Sequence, residues 1–550
     1  MRPSGDPEGF SARGDRWAVA TPHRDASEAA GAAFAAGGNA VDAALHAAVT
    51  LAVVYPHMCG VGGDLFALVQ NPDGKLVAID SSGRAPAGAD PEGLRAAHGT
   101  SMPDAGPATI TVPGAIRGWD AVHGQGAALP WRDAFAAAME AAEGFPVSAD
   151  LAWSIRRRAD ELGSDPGFAE VFFADGIPSE GDRLVQPALA GTLRALAEGG
   201  SRSFYSGDVG ARFVGGIRAL GAPISTDDLS GHTADLFPPL RGRYRGLDVS
   251  VTPPSSQGFV LLEALTALER LGIDPDPIGP DAAMLARILM AAASDRDRHL
   301  ADPEAMRIHV SSLLDDGHIA ALCDVVMGGL DGHTASSLSP DSHGQPGVPG
   351  GTNVLGGPRV PGDTIALVTA DAEGWGVSLI QSLYSGFGAG ILEPSTGIVP
   401  HDRGACFTLE PGHPNELAPG KRPAHTLMPV AVHRDGNLVA LAGTRGGHGQ
   451  PQIDLMTLVR AFDLGLNPFE AVARPRWLVG GMSPLRGEPW IEAEGSVPEE
   501  VRASFRSRGF RVETLGQVDR AVGHAQLLRI DGATLVAGSD PRADGGAMAS

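Results

Sequence analysis

The turn Pro361–Thr364 precedes a β-rich run, Ile365–Thr369. A Gly-Asp-Thr turn before such a run is common in loops, so taken alone it indicates only a loop entering a strand. Its threonine gains a chemical use if the peptide bond before it is cut. A threonine hydroxyl is a poor nucleophile at neutral pH and needs a nearby base. The free amino group of an N-terminal threonine, with a pKa of about 7.7–8.0, is such a base.

The residues after Thr364 resemble those of a known family. In the order, and close to the spacings, seen after the nucleophilic threonine of γ-glutamyltranspeptidases, the chain carries Asp371, Gly374, Ser382, Phe387-Gly388, Gly390, Pro423, Pro429 and Gly446-Gly447. The chain is therefore similar to this branch of the N-terminal-nucleophile (Ntn) hydrolases from about residue 18 to its C-terminus. The resemblance implies that the protein cuts its own Asp363–Thr364 bond, which makes Thr364 the first residue of a smaller subunit.

The resemblance also implies the fold and its division. We expect an α+β protein with the four-layer αββα sandwich of the Ntn hydrolases, two antiparallel sheets packed face to face and covered by helices. Residues 1–363 would form a large α subunit and residues 364–550 a small β subunit. A segment at about 327–360, rich in Gly, Ser, Pro and His, is typical of a linker by composition. The product would be one intertwined αβ heterodimer, alone or in a larger oligomer.

Residue patterns predict several of the elements. The stretch Ala18–Val54 is alanine-rich and helical in pattern, with a turn at Gly37–Asn39. Cys59–Asp64 is a glycine-rich loop before a strand, which favours tight backbone packing over a phosphate site. A hairpin is expected from Leu65–Gln70 and Leu76–Asp80. Further strands are expected at Ile365–Thr369, Gly376–Leu383, Leu427–His433 and Leu438–Ala442, and helices at Gln452–Asp463 and Pro468–Ala473.

The resemblance assigns the catalytic groups. Thr364 would be the nucleophile, with its own amine as the base. Ser382 stands where the family has a threonine whose hydroxyl bonds the nucleophile, and serine keeps that hydroxyl. Gly446 and Gly447 match the pair whose backbone N–H groups form the oxyanion hole, where each donor is worth about 2.7–4 kcal/mol. No metal and no organic cofactor is expected.

The predicted substrate pocket departs from the transpeptidases. The family's asparagine becomes Tyr384, and its glutamine becomes Arg403. The aspartate that binds the α-ammonium group becomes Cys406, and the two serines that bind the α-carboxylate become His425 and Thr426. The change at Cys406 removes a counter-charge for an ammonium group, whereas Arg403 adds a positive charge. The pocket is therefore better suited to a carboxylate or an uncharged acyl group.

A further arginine is a candidate for binding the substrate's carboxylate. In the family, an arginine that grips the α-carboxylate falls on Ser82, and Arg84 lies two positions later. Arginine suits this role because its planar fork donates two parallel hydrogen bonds to a carboxylate. Arg84 either reaches the pocket through a reshaped loop or is a solvated surface residue, and the sequence leaves both open. Asp402, Glu410 and Asp454 are candidate substitutes for the lost ammonium ligand.

These observations favour one function and leave two others open. The first is a self-processing γ-glutamyltransferase-like enzyme, which cleaves glutathione-type amides through an acyl-enzyme on Thr364, by hydrolysis or by transfer to an amine. The alternative is an amidohydrolase or acylase acting on another amide, in the manner of glutaryl-cephalosporin acylases or oxamate amidohydrolase. The third is an uncleaved, non-catalytic relative, which the joint presence of Asp363-Thr364, Ser382 and Gly446-Gly447 disfavours.

Composition limits the partners. The formal net charge of −23 argues against nucleic acid, whose phosphates require basic patches. No apolar run is long enough for a membrane helix or, at the N-terminus, for a signal peptide, so a cytoplasmic protein without a membrane partner is expected. Three widely separated cysteines indicate buried thiols rather than disulfides. The charged segment Ala293–His299 contains only one histidine, which favours intrahelical ion pairs over a metal cluster.

Overall fold

The computed structural model describes residues 9–328, 361–483 and 488–550. Most of the predicted linker, residues 329–360, lies outside the described residues. Its expected first residues, Met327 and Gly328, instead complete a helix.

Two seven-stranded sheets form the centre of the fold, and every neighbouring pair within them is antiparallel. The first sheet is ordered β1 (Ser11–Gly14), β18 (Thr534–Ser539), β17 (His524–Asp531), β13 (Asn437–Arg445), β12 (Val430–Arg434), β9 (Leu247–Val251) and β8 (Leu240–Tyr244). The second is ordered β19 (Gly546–Ala549), β2 (Trp17–Thr21), β10 (Pro361–Asp371), β11 (Gly376–Ser385), β3 (Asp64–Gln70), β4 (Leu76–Ser81) and β7 (Asp235–Phe237). Smaller sheets pair β5 (Phe145–Pro146) with β6 (Arg183–Leu184), and β15 (Trp490–Ala493) with both β14 (Trp477–Val479) and β16 (Arg511–Thr514).

Strand β10 shows how the sequence builds these layers. Ile365 and Leu367 belong to the core shared with helices, whereas Val368 and Ala370 belong to the core between the two sheets. Successive side chains of a strand point to opposite faces, so a strand covered on both faces must be apolar at nearly every position. The run after Thr364 has this composition.

Helices cover the outer faces of both sheets, and the predicted αββα sandwich is confirmed. One apolar core joins the second sheet to helices that precede residue 231, and another joins the first sheet to the later helices. Among the described residues, no helix combines the length and the apolar character that crossing a membrane requires. The helices are α1 (Arg24–Ala35), α2 (Ala40–Val54), α3 (Pro91–His98), α4 (Ala115–His123), α5 (Ala136–Ala142), α6 (Ala149–Arg157), α7 (Ala159–Leu162), α8 (Pro166–Phe172), α9 (Pro187–Gly199), α10 (Arg202–Tyr205), α11 (Asp208–Ala219), α12 (Thr226–Ser230), α13 (Gly258–Leu271), α14 (Ala282–His299), α15 (Asp316–Gly328), α16 (Gln450–Phe462), α17 (Pro468–Ala473) and α18 (Glu499–Ser507).

The structure corrects two predictions. The alanine-rich stretch does not begin as a helix, because Ala18 and Ala20 lie in β2, fully buried between the sheets. Small side chains fit that interior, and pairing with β10 and β19 overrides helix propensity there. The second correction concerns Asp295, whose carboxylate lies 2.9 Å from His318 of α15. Its neighbour Arg296 does form the predicted intrahelical ion pair, with Nε 2.8 Å from Asp297 Oδ1.

The strands on the two sides of the Asp363–Thr364 bond are interleaved in both sheets. In the first sheet, β9 lies next to β12 with β8 beyond it, and β1 lies next to β18. In the second sheet, β10 lies between β2 and β11. A cut at this bond would therefore leave two segments that both contribute strands to each of the two sheets.

Candidate active site

Thr364 lies where the pairing of β10 with β11 shifts register, between Asp363 and Thr364. Its side chain is buried, and its Oγ1 lies 2.9 Å from Ser382 Oγ. Ser382 Oγ donates a hydrogen bond of 2.8 Å to the carbonyl oxygen of Asp363 and accepts one of 2.8 Å from the N–H of Tyr384. Because a hydroxyl has one proton, the Thr364 hydroxyl is the donor in its contact with Ser382. The serine thus contacts both the predicted nucleophile and the carbonyl of the predicted scissile bond.

The carboxylate of Asp363 forms an ion pair with Arg445. Arg445, the last residue of β13, places Nη2 2.5 Å from Asp363 Oδ1, and its Nη1 lies 3.3 Å from His524 Nε2. Burial and the neighbouring Arg445 cation lower the pKa of His524 to about 3, so that histidine is neutral. Arg445 directly precedes Gly446, but no sequence motif identified it as a site residue. The sequence did contain a signal for this ion pair. A cation, Arg445, lies beside the predicted oxyanion glycines, and an acid, Asp363, lies beside the predicted cut.

The predicted oxyanion loop is held by hydrogen bonds from Gln257 and Arg296. Gly447 has a φ of 53°, a left-handed conformation that favours glycine, and it starts a short turn that contacts β10. Gln257 Nε2 donates hydrogen bonds of 2.8 Å to the carbonyl oxygens of Gly447 and Thr426. Arg296 Nη1 in turn contacts Gln257 Oε1 at 3.3 Å and the carbonyl of His448 at 3.1 Å. These contacts fix the orientation of the loop's peptide groups.

A cavity of about 600 Å³ has four of the predicted pocket residues in its wall: Tyr384, Cys406, His425 and Thr426. Arg403 is fully buried behind this wall. Its Nη1 donates to Thr426 Oγ1 at 3.1 Å and lies 3.5 Å from Cys406 Sγ, and its guanidinium stacks 4.3 Å from the centre of the Tyr384 ring. The structure therefore brings these five residues together.

Tyr384, which stacks on Arg403, has an unusual backbone conformation. Tyr384 has a φ of 75°, which is uncommon for a residue other than glycine and is often found at functional sites. Tyr384 follows Ser382 by two positions at the end of β11. The end of this strand therefore supplies both the Ser382 contact to Thr364 and the Tyr384 part of the cavity wall.

Behind the cavity, Asp64 organises a buried polar network. Its Oδ2 lies 3.1 Å from His425 Nε2, 3.2 Å from His401 Nδ1 and 4.0 Å from Arg403 Nε. The N–H of Gly83 donates to Oδ1 at 3.0 Å. Burial alone would raise the pKa of Asp64, but His401 and His425 hold it well below its ordinary value. Asp64 is therefore a buried anion facing the Arg403 cation.

His425 is neutral in this network. Burial, with Arg403 nearby, lowers the pKa of His425 to about 3. Its Nδ1 accepts from the N–H of Leu427 at 3.3 Å, so its Nε2 carries the proton donated to Asp64. In the sequence, Asp64 stands out only as the last residue of the glycine-rich packing loop. A carboxylate at the start of a strand that is apolar on both faces was the signal for a buried charge.

The other candidates lie in different surroundings. Arg84, with 39% of its side chain exposed, contacts Asp302 Oδ2 at 3.2 Å and the carbonyl of Gly420 at 2.9 Å, and it does not line the cavity. Glu410 lines the cavity. Asp402 accepts from the N–H of Ser385 at 2.9 Å. Asp454 is fully buried in α16, and burial raises its pKa well above the ordinary range.

The two stacked antiparallel sheets, with Gly-Asp-Thr at the start of the central strand β10 rather than in the predicted turn before it, place this protein in the Ntn-hydrolase fold class. The γ-glutamyltranspeptidase family model matches residues 26–550, and the chain belongs to that family of enzymes.

Known relatives are similar over almost the whole chain. The oxamate amidohydrolase proenzyme of Klebsiella pneumoniae is 38% identical, with 96% of this chain and 97% of the relative covered. The glutathione hydrolase-like YwrD proenzyme of Bacillus subtilis is 34% identical, with 97% and 98% covered. Among solved structures, a cephalosporin acylase from Bacillus halodurans matches with a TM-score of 0.86 at 29% identity, covering 100% of this chain and 99% of that one.

Proposed function

We propose that the protein is a self-processing N-terminal-threonine amidohydrolase whose substrates are small amides that carry a carboxylate. The observation that supports this most directly is the contact of one serine hydroxyl, Ser382 Oγ, with both the Thr364 hydroxyl and the carbonyl of Asp363. The names of the relatives, which are proenzymes of amide-cleaving enzymes, agree with it.

The first step of the proposal is self-cleavage. Thr364 Oγ1 attacks the carbonyl carbon of Asp363 while Ser382 donates to the carbonyl oxygen, where negative charge develops. The C–N bond then breaks, the hydroxyl proton ends on the released amine, and an ester joins Asp363 to the Thr364 oxygen. Water hydrolyses that ester to a carboxylate and a free hydroxyl. The product is a new N-terminal threonine with its own amine.

The mature enzyme repeats this chemistry on a substrate. The α-amine of Thr364 takes the hydroxyl proton, and the oxygen attacks the substrate's amide carbonyl. The N–H groups of Gly446 and Gly447 are assigned to the oxyanion, since Gln257 fixes the loop that carries them. The amine leaves with the proton, and water hydrolyses the acyl-enzyme on Thr364 in a second step.

The charges behind the cavity wall favour a carboxylate in the substrate. Among the described residues, Nε and Nη2 of Arg403 have no hydrogen-bond partner although both atoms are buried. Nε faces Asp64 Oδ2 at 4.0 Å, so Nη2 is the donor offered to a substrate. A buried donor without an acceptor is costly, and a carboxylate at this wall would satisfy Nη2 through a charge-assisted bond. Oxamate, in which the carboxylate is bonded directly to the amide carbonyl, is the smallest substrate of this class.

A γ-glutamyl amide is the second candidate, and one observation favours it. Glu410 lines the same cavity and supplies a carboxylate that could bind an α-ammonium group. In this alternative Glu410 takes over from the aspartate that Cys406 replaces, and Arg403 contacts the substrate's α-carboxylate.

A panel of amides tests the proposal and separates the candidates. Processed protein is assayed for ammonia release from oxamate and for p-nitroaniline release from γ-glutamyl-p-nitroanilide, with Thr364→Ala as the inactive control. Arg403→Gln should raise KM for the carboxylate-bearing amide about 10–100-fold, because one charged hydrogen-bonding group is lost. Arg84→Gln, the surface control, should leave KM unchanged. Turnover of γ-glutamyl-p-nitroanilide but not of oxamate would make the γ-glutamyl amide the first candidate. An equal rise in KM in Arg403→Gln and Arg84→Gln would contradict the role of Arg403.

The contact between Arg445 and Asp363 predicts a second effect, on processing. Arg445→Met should slow cleavage about tenfold, since a charge-assisted hydrogen bond that aligns the scissile peptide is lost. Asp363→Asn removes the same contact from the other side and should slow cleavage similarly. If Arg445 acts through Asp363, the double variant will be no slower than either single one. The readout is the half-time for appearance of the two fragments on denaturing gels, and wild-type speed in Arg445→Met would refute this role.

A further inference from the structure

Side chains from three helices converge at a point away from the cavity wall. Glu263 of α13, Asp295 of α14 and His318 of α15 each offer one ligand atom, and these atoms all lie within 4.8 Å of one another. His318 Nε2 is 2.9 Å from Asp295 Oδ2 and 3.5 Å from Glu263 Oε1. None of the three residues lines the cavity beside Tyr384.

The Glu263 carboxylate is the unusual member of this cluster. Its side chain is 0% exposed, and neither of its oxygens forms a hydrogen bond with any residue in the described part of the chain. A buried carboxylate with a single long contact, 3.5 Å to His318, is unfavourable unless a cation compensates it or a proton neutralises it. Asp295 adds a second acidic group that is nearly buried, so the cluster holds two carboxylates and a single imidazole.

We propose that Glu263, Asp295 and His318 bind a divalent transition-metal ion, with zinc as the first candidate. Imidazole nitrogen and carboxylate oxygen are both zinc ligands, at about 2.0–2.2 Å. Two such ligands of a tetrahedral ion lie about 3.3 Å from each other, between the 2.9 and 3.5 Å separations of His318 from its partners. The imidazole is 27% exposed, so solvent water can supply the fourth ligand.

The ion would act as a structural brace. It would join α13, α14 and α15, and the first two of these helices support the predicted oxyanion loop. Gln257, which binds the Gly447 carbonyl, directly precedes α13, and Arg296, which binds Gln257, is the neighbour of Asp295 in α14. An ion at this point would fix the relative positions of both supports without touching the substrate.

Zinc titration of the full, tag-free chain tests the site. After treatment with EDTA, isothermal titration with zinc chloride should show one ion bound per chain, and bound zinc should raise the thermal midpoint of unfolding. Glu263→Gln and His318→Gln should each weaken binding by at least about tenfold, because each removes a ligand. His98→Gln, an exposed histidine of α3, is the matched control and should bind as the wild type does.

Two results would overturn the proposal. One is a wild-type chain that takes up no zinc at neutral pH, in which case the histidine itself neutralises the two carboxylates. The other is unchanged binding in both ligand variants, which would place the ion elsewhere. Circular dichroism of the metal-free variants separates a lost site from a lost fold, and the partly exposed His318 offers a substitution that perturbs the core less than one at Glu263.

Discussion

Thr364→Ala should yield an uncleaved chain of 550 residues that hydrolyses no amide. The substitution removes the oxygen that forms both the ester of self-cleavage and the acyl-enzyme. It leaves the Ser382 contact to the Asp363 carbonyl in place, so the bond stays positioned but is not attacked. Loss of a nucleophile lowers turnover by at least about 10⁴-fold. Denaturing electrophoresis and intact mass, on fresh and on aged protein, measure the cleavage directly.

Two companion variants make this result specific to the hydroxyl. Thr364→Ser keeps an oxygen at the same position and should retain part of both cleavage and turnover. Thr369→Ala makes the same substitution in the same strand, where Oγ1 donates only to the carbonyl of Ala40, and should cleave normally. Cleavage at the Asp363–Thr364 bond in Thr364→Ala would refute the mechanism. A wild-type chain that stays intact would instead support the uncleaved, non-catalytic alternative.

The pair Thr364 and Ser382 could be predicted from sequence because it is local. The two residues face each other across one hairpin, β10 and β11, whose register fixes their 18-residue separation. Runs of β-branched and apolar residues next to turn residues similarly predicted strands that the structure contains. Spacing of this kind is set by the geometry of one hairpin, so a pattern along the chain is enough to reveal it.

Contacts that depend on the packing of distant elements could not be predicted in this way. Asp64 and His425 are separated by 361 positions, and Asp363 and Arg445 by 82. The sequence pattern predicts a partner for Asp295 within its own helix, α14. Its partner in the structure, His318, is on α15, and nothing in the sequence indicates that these two helices pack together. No periodicity in the sequence encodes these long-range contacts. They follow from the order of strands in the sheets and from helix packing.

The network around Asp64 predicts the second large effect, on stability. Asp64→Asn keeps the shape of the side chain but removes the anion that faces the fully buried Arg403. Leaving a buried charge without its partner costs about 3–5 kcal/mol, so the free energy of unfolding at pH 7 should fall by that amount. Because the pKa of Asp64 is lowered on folding, its contribution is fully present above the unfolded value of about 3.9 and is lost as pH falls through the lower folded value.

A matched control and a double variant separate charge from packing. Asp454→Asn alters another fully buried carboxyl, but one whose raised pKa keeps it uncharged, so it should cost less than about 1 kcal/mol. Arg403→Gln combined with Asp64→Asn removes both charges, and the double variant should recover about 1–3 kcal/mol relative to the sum of the single losses. Urea unfolding of all four variants gives these values. Additive losses would show that Asp64 does not act through Arg403, and the network would then contribute to packing rather than hold the cation behind the cavity wall.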